Sequence, residues 1–147
     1  MSLKERLMDD LKVSMKNGDK VRKNVVTMVR AAIKQKEVDE RIELNDEAII
    51  DVISKQVKQK KDAIEDFNKG QRQDLVELTE KEISILLDYL PQQLTESELQ
   101  EIVKEAIEEV GANSIKDLGK IMSNVIPKIK GRADGSMVNN IVRQYLK

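Results

Sequence analysis

At 147 residues, with 36% charged and 39% apolar side chains, the chain is long enough to bury a core and too apolar to be compositionally disordered. It has no cysteine and no histidine, which removes thiol nucleophiles, disulfides, zinc fingers, Ser-His-Asp triads and His-containing di-iron sites. The formal net charge is −1, so there is no global basic field of the kind many nucleic-acid binders carry.

The only aromatic side chains are Phe67, Tyr89 and Tyr145. A core must therefore come from Leu, Ile, Val and Met, which suits helix packed on helix, and base-stacking platforms for single-stranded nucleic acid are disfavoured. The start of the chain is too charged for a secretory signal peptide, and no apolar run approaches the length of a membrane span. A cytoplasmic, bacterial-style protein with no membrane partner is the expectation.

In chain order, Leu3, Leu7, Met8, Leu11 and Met15 recur at helical spacing, and Asn17-Gly18 reads as a C-cap. Asp19 can cap a second helix with Val21, Val25, Met28, Val29, Ala32 and Ile33 on one face. From Lys34 to Leu44 the period is lost, and the stretch reads as a frayed helix end or loop. Asn45-Asp46 restarts helix, which Ile49, Ile53, Val57, Ile64 and Phe67 carry to Asn68-Lys69-Gly70. A fourth helix is expected from Gln71 to Leu90, stopped by Pro91, whose ring and missing N–H cannot continue it.

Thr95 and Glu98 form a capping box for a fifth helix that Gly111 ends. Ser114 and Asp117 suggest a second box, starting a helix with Leu118, Ile121, Met122 and Val125. Pro127 is expected to break or kink that helix where Ile126 ends it. The last helix is expected from about Asp134 to Tyr145, with Met137, Ile141, Val142 and Tyr145 inward.

Nothing reads as a strand. One-sided apolar faces must pack on each other, so the expected fold is all-α, with about seven helices in two subdomains. The boundary falls at Pro91-Gln92-Gln93-Leu94, giving an N-terminal four-helix part, 1–90, and a C-terminal three-helix part, 91–147.

Charge is uneven along this frame. Residues 95–109 carry six acids against Lys104, a net of −5, whereas residues 113–147 carry seven bases against Asp117 and Asp134, a net of +5. The acidic helix reads as a solvated face whose early carboxylates complement the helix dipole. No carboxylate from another element can be identified to make it a metal site, so neither metal nor cofactor is expected. Lys55, Lys58, Lys60 and Lys61 form a dense basic run, but Asp51, Asp62 and Glu65 stand four residues from three of them, as on a solvated helix face laced with ion pairs.

The C-terminal corner differs in kind. Pro127, Gly131, Asp134 and Gly135 form a structural joint, in which both glycines open backbone conformations closed to other residues and Asp134 is a candidate N-cap. Lys128, Lys130 and Arg132 surround it, with Lys120 and Arg143 placed to join them. These five bases form a candidate phosphate-contacting, tRNA-binding set, because free N–H groups at a helix start flanked by bases suit an anion. A helix-to-helix joint with a polar rim explains the same residues. No catalytic residue is found among them.

Residues 119–146, including Ile126-Pro127-Lys128-Ile129-Lys130-Gly131-Arg132-Ala133-Asp134-Gly135-Ser136, resemble the tail of the B subunit of glutamyl-tRNA/aspartyl-tRNA amidotransferase. There, a Gly-Arg/Lys-Ala-Asp-Gly turn followed by an amphipathic helix is characteristic. The whole chain, including Leu90-Pro91-Gln92-Gln93-Leu94, resembles the stand-alone YqeY family. The resemblance implies an all-helical GatB/YqeY-type structure, and a tail that helps hold the tRNA body while amide transfer occurs elsewhere.

It also brings a family label of carbon–nitrogen ligase activity with glutamine as amido donor. Glutamine hydrolysis needs a Ser or Cys nucleophile with an activating base, and carboxyl activation needs an ATP and Mg²⁺ site; the sequence contains no recognisable version of either. The expected function is a tRNA-binding or amidotransferase-related accessory module, with tRNA or an aminoacyl-tRNA amidotransferase or synthetase as partner. The alternative is a helical protein–protein adaptor without RNA binding.

Overall fold

A computed structural model describes residues 1–146. Among them there are seven α-helices, one 3-10 turn and no strand, so the all-α expectation holds. In order they are α1 (Leu3–Asn17), α2 (Lys20–Glu40), α3 (Asp46–Lys69), α4 (Gln73–Leu87), α5 (Glu96–Val110), the 3-10 turn Ile115–Asp117, α6 (Leu118–Ile129) and α7 (Gly135–Tyr145). The chain divides into two compact units, Met1–Leu90 and Pro91–Lys147.

In the first unit, α1 starts on a Ser2–Glu5 capping box and ends on Gly18 in the left-handed region, φ 69°. Asp19 and Asn45 each accept from the third residue onward, Arg22 and Ala48, and so cap α2 and α3. The core gathers Leu7, Val25, Val29, Ile33, Ile49, Ile53 and Leu86, with Tyr89 closing one side.

Four details differ from the sequence reading. Met15 and Met28 are exposed, while Ser14 and Thr79 are buried. Both hydroxyls donate to the carbonyl four residues back, at 2.7 Å, which satisfies them without a partner from another helix. The Lys34–Leu44 stretch stays helical to Glu40, because the Glu37 carboxylate ties Lys4 of α1 and the Leu44 N–H to the end of α2. Helix α4 stops at Leu87, short of Pro91, and Asp88–Leu90 continue as a tight turn.

In the second unit, the Thr95–Glu98 capping box is formed and Gly111 ends α5 with φ 65°. Ser114 does not make the expected second box. Its hydroxyl accepts from Lys116, and Asp117 reaches back to the Asn113 N–H instead, which winds a 3-10 turn before α6. Pro127 does not end α6, which runs on to Ile129. In the last turn the missing N–H removes one backbone bond, and the buried Val125 and Ile129 hold that turn on the core. On α7 the inward residues are Val138, Ile141 and Val142, while Met137 and Tyr145 are exposed. This core also contains Leu99, Val103, Ala106 and Ile121.

Candidate nucleic-acid interface

The joint between α6 and α7 is built by five residues, Lys130–Asp134. Gly131 takes φ 75°, in the region that side chains with a Cβ rarely adopt. Gly135 does not: it is the first residue of α7, and a Cβ there would meet only the Met122 side chain at 3.8 Å, an ordinary contact. The Asp134 carboxylate accepts from the Ser136 N–H at 3.0 Å and caps α7, as its position suggested.

Three hydrogen bonds stitch the 91–94 connector to this joint. The Leu94 N–H donates to the Arg132 carbonyl at 2.9 Å, the Gln93 amide donates to the Gly131 carbonyl at 2.7 Å, and Arg132 Nε donates to the Gln92 carbonyl at 3.0 Å. Two polar side chains thus satisfy carbonyls of turns that no helix can satisfy. Arg132 is half-buried in this clasp and acts as part of the joint. The Thr95 backbone N–H holds the Glu98 carboxyl below its ordinary range, and the Arg132 charge adds a smaller effect in the same direction.

The other bases stand differently. Lys120 and Lys128, eight residues apart on α6, are exposed, as are Lys130 at the end of α6 and Arg143 on α7. Lys128 Nζ donates to Asn124 Oδ1 at 3.1 Å and pairs with Glu109 of α5 at 3.3 Å. The Asn124 amide and Lys128 hold the Glu109 carboxyl below the usual range. Arg143 Nε donates to Asn139 at 2.9 Å, which leaves the end of its guanidinium to solvent. Each of these two cations is therefore oriented by an asparagine four residues earlier.

Two basic features of the first unit change the charge map. Lys60, in the dense run on α3, pairs with Glu82 of α4 at 3.5 Å, so one member of that run is a packing element between helices. Between Lys12 and Lys36 lie eight bases against one acid, Asp19, a net of +7 that exceeds the C-terminal corner. Sequence reading missed this stretch because its bases are dispersed along two helices. A charge count over a window of that length finds it.

Among the described residues, no three of Asp, Glu, His or Cys gather closely enough to hold a metal ion. No helix among them is long and apolar enough to cross a membrane.

Fold and site together define an all-helical protein of two units with a clasped, base-bearing C-terminal joint. The profile of the Yqey-like protein family matches residues 4–146, and the chain belongs to that family. It is 32% identical over 144 residues to "Altered inheritance of mitochondria protein 41, mitochondrial" of Pyrenophora tritici-repentis, covering 96% of this chain and 79% of that protein. The protein of the same name in Lachancea thermotolerans is 35% identical over 147 residues, covering 95% and 79%.

These relatives correct one expectation. They are named as mitochondrial proteins, so a plain cytoplasmic location does not stand; they are fungal, and lend no support to a bacterial-style source.

Proposed function

We propose that this chain is a YqeY-type accessory module that holds a structured, tRNA-class RNA by its phosphates and carries out no amide transfer itself. The observation that supports it most is the C-terminal joint. Exposed Lys120, Lys128 and Arg143 project from two helices whose connection is fixed by a three-bond clasp. Cations on rigid elements contact phosphates with little ordering loss, and phosphate contacts position without reading sequence. The resemblance of residues 119–146 to an amidotransferase tail supports tRNA as the class of RNA. Recognition by shape and backbone suits a surface with so few aromatic rings.

A fluorescence titration with total tRNA at two salt concentrations tests this. Binding should weaken steeply with salt, and Lys120→Ala/Lys128→Ala/Arg143→Ala should weaken it further. Binding that is absent, or indifferent to both, overturns the reading.

The adaptor reading draws on a different observation. Ile126, Met137 and Tyr145 of the same unit are exposed apolar side chains available to a protein partner. A partner protein that survives nuclease treatment in a pull-down, in the absence of tRNA binding, favours it.

A further inference from the structure

On α2, Lys20, Lys23, Thr27, Arg30 and Lys34 follow one another at intervals of three and four residues, which places them on one side of the helix. Four of the five are exposed and Arg30 is half-buried. They lie away from Val25, Val26, Val29 and Ile33, which are buried in the core. At 1.5 Å rise per residue, the row is about 21 Å long.

Its charges are unspent. Of the eight bases between Lys12 and Lys36, only Arg22 has a carboxylate partner among the described residues, pairing with Asp19 and Asp88. The next acid along α2 on this side, Glu37, is engaged by Lys4 and the Leu44 N–H. Thr27, Arg30 and Lys34 border an open groove of about 610 Å³ facing Lys4 and Met8 of α1, so the row overlooks a concave surface.

We infer that this α2 row is a second phosphate-binding surface, on the N-terminal unit, for the backbone of a structured RNA. The inference rests on the RNA reading above and extends it to a part of the chain outside the amidotransferase-like tail. The composition of the row selects the ligand. Four cations and a hydroxyl donor, spread evenly and with no acid among them, match an extended anion with repeating charges.

No position in the row itself is apolar; Leu7, Met8, Ala31 and Ile33 line the groove beside it, so the row lacks the i, i+3, i+4 and i+7 anchors that seat an amphipathic protein helix. It equally lacks the apolar row that would insert into a lipid surface. It has no aromatic ring on which to stack a base, which leaves backbone recognition.

The test compares salt dependences of full-length protein binding to total tRNA between about 50 and 200 mM KCl, where phosphate contacts dominate. Lys23→Gln/Arg30→Gln/Lys34→Gln should weaken binding at least about tenfold and make the log–log salt slope shallower by about 2–3, roughly one per lost contact. Circular dichroism should show unchanged helix content.

If the wild type binds and this variant keeps its affinity and slope, while Lys120→Ala/Lys128→Ala/Arg143→Ala loses them, the inference is overturned and the RNA reading stands. If the wild type fails to bind tRNA at low salt, the RNA reading falls and takes the inference with it. A labelled glutamate-rich helical peptide that binds the wild type more tightly than tRNA, and is released by the same α2 variant, would assign the row to an acidic protein and also overturn the inference.

Discussion

Tyr89 shows how one residue can join several elements. Its hydroxyl donates to the Asp10 carboxylate of α1, and the Arg6 guanidinium lies 4.7 Å from its ring centroid. Arg6 also donates to the Asp88 carbonyl at 2.8 Å, and Arg22 of α2 reaches the Asp88 carboxylate at 3.4 Å. The turn after α4 is thereby tied to α1 and α2 by a polar network around a ring that is only 3% exposed. Burial, and then the Asp10 carboxylate beside it, push the phenol well above its ordinary value near 10. The folded state therefore holds that proton more tightly than the unfolded chain does. The stabilisation is complete below about pH 10 and is lost progressively as pH rises above it. Urea denaturation should show Tyr89→Phe less stable by about 1–2 kcal/mol at pH 7, from loss of a hydrogen bond to a carboxylate. The gap to wild type should narrow as pH rises from about 10 to 11, since only the wild type carries this proton. A constant gap across that range would show that the phenol is not held protonated by the fold. In the sequence, Tyr89 is visible only as one of three aromatics, because its partners Arg6, Asp10 and Arg22 are at least 67 positions away.

Helix ends were the most legible elements, and helix faces less so. Asp19, Asn45, Thr95 and Asp134 all cap where their side-chain chemistry suggests, since a cap depends on the next two or three backbone N–H groups alone. Faces depend on what lies opposite. Period alone places Met15, Met28, Met137 and Tyr145 with their apolar neighbours, yet all four are exposed because the stripe that the packing partners cover is narrower. The two glycines of the joint separate for a related reason: both look permissive in sequence, and only backbone geometry shows which freedom is used. Gly131→Ala should destabilise the protein by about 1–2 kcal/mol, the left-handed penalty for a residue with a Cβ. Gly135→Ala should be neutral or stabilising by up to about 1 kcal/mol, because a helical backbone with room for a Cβ gains from losing glycine. Thermal denaturation of the two variants side by side checks the contrast. Equal losses would mean that the joint uses both glycines alike.

Across the whole molecule, a formal charge of −1 conceals three charged territories: a net +7 over 12–36, −5 over 95–109 and +5 over 113–147. The last two are visible as runs, whereas the bases of 12–36 are spaced more widely, and four of them, Lys20, Lys23, Arg30 and Lys34, fall on one side of α2. The acidic helix also has a structural use, since Glu109 anchors Lys128 and Glu98 completes a cap. Arg132 belongs to the clasp, which leaves Lys120, Lys128, Lys130 and Arg143 as the exposed members of the five bases singled out in the sequence. As proposed above, this 16.8 kDa chain meets RNA phosphates through the α2 row and the C-terminal joint. The most direct measurement is an amide chemical-shift map of the ¹⁵N-labelled protein titrated with tRNA at low salt. Shifts or broadening should concentrate at residues 20–34 and 120–143 and fade as salt is added. A spectrum unchanged at equimolar tRNA, or changes confined to α3 and α4, would contradict it.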